Sequence, residues 1–141
     1  MRRSLRACVL LLSGLLLAGC DSSTFVDDNL GCDRVRSFSL GSSTSGSLDP
    51  SDCRLNDGSA VDYYRIRISS GRNVFVGMSS NVIDPYVAVL DEFGSVVAEE
   101  DFGETGYSEL SVFLPGGTYY IAASSYAPND YGSYSLDTDY D

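Results

Sequence analysis

The chain contains no histidine, no lysine and no tryptophan, and its nine basic residues are all arginine. These absences exclude a Ser/His/Asp or Cys/His nucleophile, a Schiff-base or P-loop lysine, and an imidazole-ligated metal. Without tryptophan to stack a sugar ring, a carboxylate pair hydrolysing glycosides is not expected, and the sequence points to no enzyme. Charge of one sign is scarce as well: 20 Asp and Glu leave a net charge of −11. A body this acidic is repelled by nucleic acid and by anionic membrane surfaces, so neither is expected as a direct partner. What remains is 141 residues, 43% of them hydrophobic, enough for one modest domain.

The chain opens with Arg2, Arg3 and Arg6, followed by an apolar run from Ala7 to Leu17 broken only by Ser13 and Gly14. That run is too short to span a bilayer, which takes about 20 apolar residues, and it has the layout of a secretory leader. It ends in Leu17-Ala18-Gly19-Cys20, which resembles the lipobox of bacterial lipoproteins, where the cysteine is acylated and the peptide is cut just before it. The competing reading is an ordinary leader with a chance cysteine behind its cleavage site. The lipobox resemblance implies a signal peptide over 1–19, an acylated Cys20 that anchors the protein to a membrane, and a location in the bacterial cell envelope, facing the periplasm or on the cell surface. Cleavage would leave six of the nine arginines against all 20 acids, a net charge of −14. Residues 20–29 then read as a polar, acidic tether with only Phe25 and Val26 to bury, and the domain runs over 30–141. Asp21 behind the cysteine resembles an inner-membrane retention signal of enteric bacteria, a rule that leaves the leaflet open outside that group.

With Cys8 in the leader and Cys20 as acyl carrier, Cys32 and Cys53 form the natural disulfide of an exported protein. The bridge would stabilise the fold by about 3 kcal/mol on the chain-entropy model. A two-cysteine metal site lacks further soft ligands.

Downstream of Leu30 no segment holds helical periodicity over three turns, and short β-type runs alternate with Gly, Asn, Asp and Pro. Strands are expected over 35–40, 61–69, 73–79, 86–90, 96–98, 110–114, 119–123 and 134–136. Tyr64, Ile66 and Ile68 alternate with Tyr63, Arg65 and Arg67, which assigns that strand one buried and one wet face. Ser70-Gly71-Arg72-Asn73 has tight-turn composition, so 61–69 and 73–79 are expected as antiparallel neighbours. Tyr86-Val87-Ala88-Val89-Leu90 is apolar on both faces and should be a central strand. The expected fold is all-β, an antiparallel β-sandwich of about eight strands.

The ordered set Asp62-Tyr63-Tyr64-Arg65-Ile66, Gly71 with Val74 and Val76, Asp84-Pro85-Tyr86-Val87-Ala88-Val89-Leu90-Asp91 with Gly94, Glu100-Asp101-Phe102-Gly103, Leu114-Pro115-Gly116-Gly117-Thr118-Tyr119-Tyr120-Ile121 and Gly132-Ser133-Tyr134-Ser135-Leu136 resembles bacterial pre-peptidase C-terminal (PPC) domains over roughly residues 44–138. The resemblance implies a jelly-roll-like sandwich that usually accompanies secreted peptidases and in some collagenases binds substrate or calcium. Here the sandwich fills nearly the whole mature chain, so an appendage role toward a protease in the same chain is not expected.

Three groups of residues offer chemistry. Glu100, Asp101 and Glu104, with Glu99 beside them and Gly103 in an expected turn, supply the hard oxygen donors that Ca²⁺ takes, although no EF-hand spacing is present and a solvated acidic loop is the default reading. Asp49, Asp52, Asn56, Asp57 and Gly58 surround Cys53, where a capped turn is the default reading. Tyr126 and Tyr131 flank Ala127-Pro128-Asn129-Asp130 in an expected loop, where an exposed pair would suit contact with a glycan or an extended polypeptide, although one ring packed on the loop base is the default reading. Asp84 is expected to bond backbone amides of a neighbouring loop. The reading is a non-catalytic, lipid-anchored binding or scaffolding protein of the envelope, with an extracellular or periplasmic protein or a glycan as partner. No cofactor is expected beyond calcium. The alternatives are a calcium-dependent carbohydrate- or protein-binding module and an accessory subunit of a secreted hydrolase assembly.

Overall fold

The computed structural model describes residues 30–100, 102–104 and 106–141. The leader, Cys20 and the tether lie outside the described residues, as does Asp101. Among the described residues eleven strands and no helix are formed: β1 (Val35–Ser37), β2 (Ser43–Leu48), β3 (Cys53–Arg54), β4 (Ala60–Ile68), β5 (Arg72–Ser79), β6 (Pro85–Leu90), β7 (Val96–Glu99), β8 (Phe102–Glu104), β9 (Tyr107–Leu114), β10 (Gly117–Ser125) and β11 (Gly132–Tyr140). Consequently no helix among these residues is long and apolar enough to cross a membrane.

The strands form two sheets. One runs β1-β4-β10-β6-β7, with β3 also on β4; the other runs β2-β11-β5-β9-β8. The expected sandwich is present, and its pairings are antiparallel except for β1, which lies parallel to β4. Three of the strands, β1, β3 and β8, hold three residues or fewer.

Inward-facing side chains of both sheets make the core. Tyr64, Ile66, Val87, Val89, Ile121 and Ala123 come from the first sheet and meet Leu48, Val74, Val76, Met78, Leu110, Leu114 and Leu136 from the second. Complete burial of each aliphatic chain is worth about 1.5–3 kcal/mol, which makes this interleaving the main source of stability.

The expected hairpin between 61–69 and 73–79 is not formed: β4 belongs to the first sheet and β5 to the second. Gly71 does not take the positive φ that a tight two-residue hairpin needs, and the link 69–71 is long enough to cross the roughly 10 Å between sheets. The two strands thereby face each other across the core, Ile66 and Ile68 on one side and Val74 and Val76 on the other. Nor is one face of β4 wet along its whole length. Val61 and Tyr63 point outward yet are buried in a second cluster with Cys32, Ala88, Leu90, Tyr120 and Ala122, under Leu30, Val35, Cys53 and Leu55.

That cover is tied down by the Cys32–Cys53 disulfide, with Cα atoms 5.7 Å apart. Asp49 and Asp52 cap the turn before it. The Asp49 carboxylate accepts the Ser51 amide and hydroxyl, which lower its pKa, and Asp52 accepts the Asp49 amide.

A buried polar chain joins the sheets where β2 closes the sandwich. The Tyr134 hydroxyl on β11 donates to Asp62 on β4 at 2.5 Å and accepts from the Tyr64 hydroxyl at 2.5 Å, while Arg36 donates to both Tyr64 and Asp62. Burial raises the Asp62 pKa, opposed by Tyr134 and Arg36. Gly46 on β2 leaves room for this chain, since a methyl group there would fall 2.2 Å from the Tyr134 hydroxyl oxygen.

Candidate functional site

On β6, Val87 and Val89 turn into the core, so Tyr86, Ala88 and Leu90 turn outward. Ala88 lies directly opposite Ala122 of β10 in the ladder. Two methyl groups side by side, between larger neighbours, lower the sheet surface there. The N-terminal cover reaches this place through Leu55, and beside it a groove of about 450 Å³ lies on the outer face of the first sheet, with the buried Ala88 and Ala122 in its lining.

Its far end is closed by Leu90 and by Val96 of β7, which is 59% exposed. One side is the 55–57 turn with Leu55, Asn56 and Asp57; another is Tyr86 with Tyr126. The Tyr86 and Tyr126 rings meet edge to face at 5.4 Å and 68°, the geometry favoured by aromatic quadrupoles. The Tyr86 hydroxyl donates to Glu99 at 2.8 Å. Burial first, and then Glu99, Glu100 and Asp57, raise the Tyr86 pKa, so the phenol stays protonated as a donor.

The loop that presents Tyr126 is held at several points. The Tyr126 amide donates to the Asp84 carbonyl, and the Asp84 amide donates to the Asp130 carboxylate at 3.0 Å. The loop contact at Asp84 thus uses its backbone, with Asp130 supplying the side chain that was expected from Asp84. Ser125 bonds the carbonyls of Ala127 and Asp130, and Asn129 takes a positive φ of 65°. Tyr126 stays 49% exposed on this braced loop.

The two tyrosines singled out in the sequence do not act together. Tyr131 does not line the groove: its hydroxyl accepts from Arg54 at 3.0 Å and donates to Asn129, with the Arg54 guanidinium 5.4 Å from the ring centre. Tyr131 thus braces the base of the loop. Leu55, Tyr86, Ala88 and Val96 also line the groove and were not offered as site residues by the sequence, while Asn56 and Asp57 were singled out there only as part of a capped turn beside Cys53. The signal they left was the strand 86–90 with apolar residues on both faces, which marks an outward side needing cover.

For the acidic run, Glu100 accepts the Ser108 hydroxyl. Gly103 is not in a turn: it sits within β8 opposite Ser108, so the run spans the passage from the first sheet to the second. Asp101 and the Glu104 side chain lie outside the described residues. Among the described residues, one set brings three residues of metal-ligating type together, Cys32, Asp33 and Cys53, and its two sulfurs are spent on the disulfide.

An all-β sandwich with an open apolar groove is the class these features define. No protein-family model matches the chain. No curated protein matches it either. Solved structures share its fold. The PPC domain of a Bacillus anthracis collagenase is similar with a TM-score of 0.59 and 19% identity, over 75% of this chain and 95% of that one. Aeromonas hydrophila PliG, a periplasmic inhibitor of g-type lysozyme, is similar with a TM-score of 0.52 and 11% identity, over 77% and 98%. These likenesses establish the fold.

Proposed function

We propose that the protein is a non-catalytic binding module of the bacterial envelope, held at a membrane by an acylated Cys20, that engages its partner through the groove between Tyr126 and Val96. The observation that carries this reading is the groove itself. The disulfide-stitched segment covers part of the first sheet's outer face, and at its margin Ala88, Ala122 and Leu55 line an apolar opening walled by a braced, half-exposed tyrosine. A preformed apolar concavity with a few placed polar groups is the usual form of a binding site. A sandwich of this fold serves as an enzyme inhibitor in the lysozyme-inhibitor case, which shows that the scaffold can present a protein-binding surface. The disulfide supports an oxidising compartment, and the leader motif supports the anchor.

The test is photo-crosslinking in intact cells, with a photoreactive residue at position 96 of the full-length chain and a control at Ser47, exposed on the other sheet. Adducts are expected from position 96 and not from 47. Equal labelling at both positions, or none at 96, would overturn the reading.

A further inference from the structure

We infer that the groove seats a cationic side chain, arginine or lysine, carried on an extended segment of a basic protein partner. The inference rests on the reading of the groove as a binding site and adds the chemistry of its occupant.

The floor is aliphatic, with Ala88, Ala122 and Leu90, which suits the methylene stem of a long basic side chain. At the rim the charge is of one sign. Asp57 lines it, and Glu99 is bonded to the Tyr86 hydroxyl. No arginine is among the described lining residues. Arg54, nearby in sequence, is committed elsewhere, bonding the carbonyls of Gly58 and Pro50 and the Tyr131 hydroxyl. Tyr86 and Tyr126 add ring faces and edges beside these carboxylates, and a cation over a tyrosine face is attracted by the ring quadrupole. An apolar stem site ending in carboxylates and aromatic rings complements arginine and lysine and repels an anion. A neutral sugar could donate its hydroxyls to the carboxylates but would leave their charge uncompensated. The chain's net charge of −11 adds long-range attraction for a basic partner and speeds encounter without fixing where it docks.

Because an acidic protein attracts any polycation, the test must separate the groove from the overall charge. Full-length protein purified in neutral detergent, with ¹³C-labelled alanine methyl groups, is titrated with a peptide alternating arginine and leucine, and with the same peptide carrying citrulline in place of arginine. The Ala88 and Ala122 methyl resonances are expected to shift with the arginine peptide only. Asp57→Asn with Glu99→Gln is expected to weaken binding about tenfold. Asp137→Asn with Asp139→Asn, which removes equal charge from the other sheet, is expected to weaken it less than about threefold. The asparagine and glutamine retain the oxygens that accept from Ser59 and Tyr86, so all variants should fold. Equal losses from both pairs would mean diffuse attraction and would overturn the inference. Groove shifts with the citrulline peptide at equal affinity would also overturn it, while leaving the groove as a binding site for a neutral partner. Absence of groove shifts with either peptide would overturn it too, and the crosslinking at position 96 would then decide separately whether the groove binds anything.

Discussion

Replacing Tyr134 by phenylalanine removes one oxygen from the buried chain that joins the two sheets, and its cost can be worked from the contacts. The hydroxyl donates to the Asp62 carboxylate and accepts from Tyr64, both residues being under 10% exposed. A hydrogen bond to a charged acceptor contributes about 1.5–3 kcal/mol, and the stranded Tyr64 donor adds about 0.5–1.5, so Tyr134→Phe should destabilise the fold by about 2–4 kcal/mol at pH 7. The penalty should depend on pH. Burial raises the folded pKa of Asp62 above its ordinary 3.8, so between those values the folded state binds more protons than the unfolded one, and Asp62's contribution to stability falls as pH rises. The Tyr134 hydroxyl opposes that rise. Its removal should raise the folded pKa further, so the penalty grows from pH 3, where Asp62 is protonated, to pH 7. Urea unfolding followed by far-UV circular dichroism at both pH values measures this, and the Asp62→Asn background should remove the pH dependence of the penalty. A loss under about 0.5 kcal/mol at pH 7, or one equally large at pH 3, would refute the view that this hydroxyl supports a buried carboxylate.

Three further outcomes are expected. Cys20→Ser should release the protein from membranes, and a variant that still sediments with them in high salt would contradict anchoring through Cys20. Replacing Cys32 and Cys53 together by alanine should cost about 2–5 kcal/mol in urea unfolding, since the bridge closes 21 residues and holds the cover over the second cluster; a loss under about 1 kcal/mol would show that the cover holds without it. Calcium should raise the melting temperature weakly and no more than magnesium or matched monovalent salt does, whereas a calcium-specific rise removed by Asp101→Asn would establish a site at Glu100, Asp101 and Glu104.

Period-two alternation made most of the sandwich readable. Val74, Val76 and Met78, or Leu110, Val112 and Leu114, announce a strand with one buried face. β2 was missed because Ser43-Thr44-Ser45-Gly46-Ser47 has the composition of a loop, and it is a strand only because β11 supplies a partner and Tyr134 needs the space above Gly46. The false hairpin had a similar origin: turn composition at 70–73 marks a change of direction but not which sheet receives the next strand. Of the site, Tyr126 could be read from its loop. The floor at Ala88 and Ala122 could not, because it depends on two residues 34 apart in sequence meeting across a ladder. The opposite fates of Tyr126 and Tyr131 depend on Arg54, which lies 77 residues from Tyr131.

The position of β11 bears on how the chain reaches this state. The last strand of the sequence is not an edge: it lies between β2 and β5, pairing Leu136 with Thr44 on one side and with Met78 on the other. Until residues 132–140 arrive, β2 has no neighbour in its sheet, and β5 exposes an open row of backbone groups beside Val74, Val76 and Met78. Pairing β2 with β11 joins residues about 90 apart in sequence and becomes cheap only once the β4–β10 ladder has drawn the two segments together, so this long-range sheet should fold slowly and should close only after β11 has emerged. During that interval the half-built second sheet is a template for foreign strands, and a chain lacking β11 would remain in that aggregation-prone form.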